Sequence, residues 1–148
     1  MDEAFQIDID IKAAPEVVYA QFLDPARMVR WMGDHARLDA RYGGEFSVDI
    51  NGVLIRGHYV DLDPPNRLEV AWGQLGNDAM PPGSTRVIVE LAATELGTKL
   101  RLTHFGLVAE EAAKHRIGWP HFLSRMAVCA AGGDPGVDPF SVDRINRS

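Results

Sequence analysis

Five histidines, His35, His58, His104, His115 and His121, are the side chains best suited to acid–base or metal chemistry at neutral pH. None forms an H-E-x-x-H or comparable ligand spacing, and the inward register of the strand carrying His104 contains no carboxylate, so no metal site is expected. His104 shares a face with Leu100 and Leu102 and should point to the covered side of a sheet. It is then either a core histidine bonded to a backbone carbonyl or a polar anchor for a ligand. His58 shares a register with Leu54, Val60 and Leu62, but Val53, Ile55 and Tyr59 opposite are almost as apolar, so its direction stays open. His115 and His121 are assigned to the rim or solvent, off the stripe of Trp119 and Met126. Arg56 is the remaining candidate for an inward charged group. No Ser-His-Asp order, nucleophile elbow or phosphate-cradling glycine loop is present, so a catalytic set is not identified and no cofactor is expected. Trp31, Trp72 and Trp119 are more suggestive as a set, because apolar-ligand pockets are built from aromatic walls with few polar groups. Phe46, Val48, Ile50, Phe122 and Met126 would complete such a lining.

Positioning these groups requires a real core. A chain of 148 residues, 46% hydrophobic and 24% charged, has the composition of one folded domain. Its net charge of −6 argues against a general surface for nucleic acid or anionic membrane. No apolar run reaches 18 residues, and the acidic start MDEAFQIDID lacks the basic flank of a secretory signal, which points to a cytoplasmic location. With one cysteine, Cys129, neither an internal disulfide nor a thiolate metal cage can form.

Alternation over residues 5 to 12 predicts a half-buried strand. Pro15 and Glu16 open a short helix, and Asp24 with Pro25 caps and starts a second that ends near Trp31. GGEFSVDI and VLIRGHYVDLD flank Asn51-Gly52, a strong hairpin signal. RLEVAW, TRVIVELAAT and TKLRLTHF follow, for five or six antiparallel strands after the helices. Residues 73 to 84 form a long loop, from Gln74 to Ser84 a candidate gate. A helix over about 109 to 131 then stops at Gly132-Gly133, which places a domain over 1–131 and a polar tail over 132–148. Within that helix HRIGWPHFLSRM sets Trp119, Phe122, Leu123, Met126 and Ala130 on one face, yet Gly118 and Pro120 interrupt it at a cost of about 4 kcal/mol relative to alanine. A bend there would hold the helix off the sheet and leave a cavity.

The strings FLDPARMVRWM, GGEFSVDI with GVLIRGHYVDLDPPNRLEVAWG, STRVIVELAATELGTKLRLTHFGL and HRIGWPHFLSRM, in that order, resemble the activator of heat shock protein 90 ATPase-like family. That family belongs to the START/SRPBCC superfamily with the helix-grip fold. The resemblance runs from about residue 5 to 130. It implies an α+β helix-grip fold, a curved antiparallel sheet wrapped around a long C-terminal helix, with a ligand-sized pocket between them. It implies no particular reaction, since fold does not dictate function.

The expected function is binding of a small hydrophobic or aromatic molecule, lipid- or polyketide-like, by a carrier or sensor. The expected ligand-binding residues are Trp31, Phe46, Val48, Ile50, His58, Trp72, His104, Trp119, Phe122 and Met126. One alternative is a co-chaperone-like module for a heat shock protein 90 homologue. The other is a cyclase or hydrolase using the same cavity. Whether the chain forms a homodimer is left open.

Overall fold

The computed structural model describes residues 3 to 139, so the tail's Phe140 lies outside the described residues. Seven strands and three helices follow in the order β1 (Glu3–Ile11), α1 (Pro15–Ala20), α2 (Pro25–Trp31), β2 (His35–Leu38), β3 (Glu45–Ile50), β4 (Val53–Asp63), β5 (Arg67–Trp72), β6 (Thr85–Thr94), β7 (Gly97–Leu107) and α3 (Ala109–Ala130). All neighbours pair antiparallel in the order β1-β7-β6-β5-β4-β3-β2, so the first strand closes onto the last and the rest form a meander. This is the helix-grip architecture that the resemblance implies.

Local chemistry explains the joints. Asp24 Oδ1 accepts from the Ala26 amide at 3.0 Å, capping α2 ahead of Pro25. Asn51 and Gly52 both take positive φ, 49° and 85°, as a two-residue hairpin turn of the twist-compatible type requires. β2 is absent from the sequence-based reading because HARL has neither clean alternation nor β-branched residues. It exists through its pairing with β3, from His35 opposite Asp49 to Leu38 opposite Phe46.

β4 resolves the ambiguity about its faces. Its first half buries Ile55 and Tyr59. Between Tyr59, which pairs with Val70, and Leu62, which pairs with Leu68, a bulge shifts the register. One extra residue changes which alternate positions face the core, so Leu62 packs on the core as well. Both registers read as apolar because each is inward over part of the strand. His58 and Arg56 precede the bulge and lie outward. His58 is exposed, and Arg56 is tied to Asp49 at 2.8 Å on the outer face.

α3 remains one helix across Gly118, Trp119 and Pro120. Pro120 is exposed, so a helical carbonyl deprived of its amide partner there faces water rather than the core. The helix approaches β1, β7, α1 and α2 but stands away from β3, β4 and β5. Where the tail begins, Arg30 donates to the Gly133 carbonyl at 3.1 Å and Arg125 donates to Gly136 at 3.0 Å, which fastens residues 133 to 136 over α2 and α3. No helix among the described residues is long and apolar enough to cross a membrane.

Candidate functional site

The gap between α3 and the far side of the sheet is a half-open cavity of about 460 Å³, within the roughly 300–1,000 Å³ typical of small-molecule sites. Ile50, Asn51 and Val53 at the β3–β4 hairpin, Ile55 of β4 and Trp72 of β5 form its sheet side. Met32, from the end of α2, and Gln74 and Met80, from the loop at 73 to 84, close its edges. The helix contributes Glu111, Lys114, His115, Gly118, Trp119 and Phe122, the last five at three, four, seven, eight and eleven residues after Glu111 along one face. Gly118 leaves its share of that face bare, since a Cβ there would meet only Phe122, at 3.9 Å.

Four of the expected ligand-binding residues, Ile50, Trp72, Trp119 and Phe122, meet on this wall. Phe46 lies behind it, 5.9 Å from Trp72 between ring centroids, and Val48 and Met126 are fully buried in the core. Trp31 is elsewhere: its ring packs edge-on against Phe22 at 5.2 Å, and its Nε1–H donates to the Gln21 carbonyl at 3.3 Å. His58, on the outer face of β4, does not reach the cavity.

His104 lies beneath the wall with no exposed surface. Trp119 Nε1–H donates to its Nδ1 at 3.1 Å, which makes Nε2 the protonated nitrogen. Nε2–H then donates to Thr85 Oγ1 at 2.8 Å, and the Thr85 hydroxyl donates to the Trp72 carbonyl at 2.7 Å. Burial pushes the His104 pKa down to about 2, with the neighbouring His115 adding to the shift. His104 is therefore a neutral spacer with both nitrogens engaged, one that fixes the angle of Trp119 rather than offering a group to a ligand.

His115 is a correction to the expected rim or solvent position. Four residues before Trp119 and eleven before Met126 lie within about 40° of both on a 3.6-residue helix, so its place on the cavity face was available from the spacing. Its Nε2 accepts from Trp72 Nε1–H at 3.3 Å, and its Nδ1–H donates to the Glu111 carbonyl at 2.7 Å. Burial again lowers its pKa. The two imidazoles stand 4.8 Å apart, nearly perpendicular, and Trp72 and Trp119 are 5.2 Å apart at 45°. Each indole N–H is thus held by an imidazole, and the floor needs no solvent to satisfy it.

Glu111 is a second residue of the site that the sequence reading does not single out. It is buried, with Oε2 accepting from Asn77 Nδ2 at 3.3 Å and Lys114 Nζ at 3.2 Å. Asn77 donates as well to Gln74 Oε1 at 3.0 Å, so the loop is tied to the helix at the edge of the cavity. The signal was again the spacing, with Glu111 one turn before His115 and two before Trp119.

Residues 12–131 match the family model described as Activator of Hsp90 ATPase homolog 1-like protein. A solution structure of a protein of that type from Rhizobium etli is 37% identical, with a TM-score of 0.75, over 95% of this chain and 89% of that one. An HSP90 activator from Plasmodium falciparum is 26% identical with a TM-score of 0.71, over 85% of this chain and 94% of that one. CalU16 from Micromonospora echinospora shares the fold at 23% identity and a TM-score of 0.71, over 97% and 83% of the two chains. No curated protein matches in sequence. With four-fifths of its length inside the family model and the helix-grip fold in place, the chain belongs to the Activator of Hsp90 ATPase homolog 1-like family.

Proposed function

We propose that the protein binds a small hydrophobic or aromatic molecule in the cavity between α3 and the sheet, as a carrier or sensor. The observation that carries this reading is the pair Trp72 and Trp119, whose polar atoms are consumed by His115 and His104 while both residues remain on the wall of an open space of about 460 Å³. The two rings are themselves largely buried, and it is the apolar lining of the space as a whole that a guest can cover, at roughly 25 cal/mol per Å². The same network argues against a cyclase or hydrolase built on His104, because a general base needs a nitrogen free to reach the substrate.

The test is thermal stability in the presence of two-ring aromatic probes such as 2-naphthol. Saturating occupancy raises stability by about 2.7 kcal/mol at a hundredfold excess over Kd. Gly118→Leu, which projects a side chain from the bare stretch of the wall, should remove that shift while the protein still folds. A shift that survives Gly118→Leu unchanged, or none with any probe, overturns the reading.

A second reading, a co-chaperone-like module, is favoured by the similarity to the Plasmodium falciparum HSP90 activator. Its working surface would be external, and the solvent side of α3 offers Ile117, 72% exposed, and Val128, 41% exposed, eleven residues apart on one face. Capture of a heat shock protein 90 homologue that is lost in Ile117→Ser but kept in Gly118→Leu would support it.

A further inference from the structure

Glu111 is the one charged side chain among the described residues that is buried, at 3% exposure. Its Oε2 takes the two hydrogen bonds from Asn77 and Lys114. Its Oε1 takes none within the described residues and is not among their fully buried unpaired atoms, and Glu111 is part of the cavity wall. A carboxylate offers about four acceptor positions, and one withdrawn from bulk water is costly while they stay unused. The Trp72, Trp119 and His115 N–H groups around it are all committed to partners within the protein. Asn51, Gln74 and Lys114 also line the space and carry donors, but Glu111 is the buried one among these polar side chains, so its unused acceptor positions are the ones that cost most. Lys114, its ion-pair partner, already balances the charge, so the complementary group need not be a cation.

We propose that the molecule taken by this cavity carries a hydrogen-bond donor, a hydroxyl or an amine, on an aromatic or apolar body, and that the donor rests on Glu111 Oε1 while the body lies against Trp72, Trp119 and Phe122. The inference rests on the cavity-binding function and adds the polarity of the guest. A carboxylate-bearing guest is disfavoured, because an ionised carboxylate brings no donor to Glu111 Oε1.

The test compares matched two-ring probes by titration calorimetry: 2-naphthol, 2-methoxynaphthalene, which keeps the oxygen but lacks the donor, 2-naphthylmethylamine and 2-naphthoate. The wild-type protein should bind 2-naphthol at least tenfold more tightly than 2-methoxynaphthalene, with 2-naphthoate weakest. Tighter binding of the amine than of naphthol supports the same site with a charged donor. In Glu111→Leu the naphthol preference should fall to within about twofold. Should Glu111→Leu fail to fold, Glu111→Gln replaces it and should lower the preference at least threefold. Equal binding of naphthol and methoxynaphthalene to the wild-type protein overturns the inference and leaves the cavity function standing. So does a preference for naphthoate, or a naphthol preference unchanged in the variants. If none of the four binds, both fail together.

Discussion

The two ends of α3 share one helix and one sheet but meet different surroundings. From Phe122 onward the inward residues Leu123, Met126, Cys129 and Ala130 are buried, and none of these four lines the cavity. From Glu111 to Phe122 the same helical face borders open space. The later turns follow the rule of dense interiors, in which a missing methylene is felt. The earlier turns keep a wall of rings without filling it, and the polar bonds of Trp72, Trp119, His104 and His115 hold that wall in shape. One helix thus closes a core at one end and lines a cavity at the other, where hydrogen bonds as well as packing hold its side chains.

The largest contrast between the ends should come from Leu123→Ala. Truncating that fully buried side chain costs about 2–5 kcal/mol of stability by urea unfolding, while naphthol affinity in the folded fraction changes less than twofold. A loss below 1 kcal/mol would erase the distinction. Next in size is the response to acid. His104 and His115 have folded-state pKa values below their unfolded value of about 6.5, so the unfolded chain binds protons the native state refuses. Their contribution to stability is complete above about pH 6.5 and declines as pH falls, by up to about 1.4 kcal/mol per pH unit for each group, continuing for His104 toward about pH 2. Urea midpoints measured from pH 7.5 to 4.5 should show that decline, and His104→Gln should flatten it. An equal slope in the variant would mean that His104 is not buried in its neutral form. The smallest effect belongs to Gly118→Ala. Alanine gains about 1 kcal/mol of helix propensity and meets no clash there, so stability should rise while naphthol binds a few-fold more weakly. Loss of stability would show that the bare wall is needed for folding rather than for binding.

Much of this organisation is legible in the residues. Alternation in β1, β6 and β7 gives the inward set that ends at His104, Asn51-Gly52 gives the hairpin, and the apolar stripe with its glycine stop gives α3. The misses have physical causes. β2 carries little intrinsic strand preference and is created by a partner. The β4 bulge inverts which side chains face inward, and no periodicity count anticipates one extra residue. Trp31 is as aromatic as Trp72, but α2 docks it against Phe22 instead of the cavity. Glu111 and His115 are within reach of helical spacing, which puts His115 within about 40° of the Trp119 and Met126 stripe it was assigned off, and Glu111 one turn before it.

Patterns of apolar and turn residues act locally, through hydrogen-bond geometry and the periods of helix and strand, so they specify the elements other than β2, their order and, outside β4, the face each one buries. Whether opposed faces touch depends on how far apart the backbones come to rest, a sum over many distant contacts that no short stretch encodes. The standoff of α3 from β3, β4 and β5, the imidazole partners of the two indoles and the open oxygen of Glu111 all arise at that level.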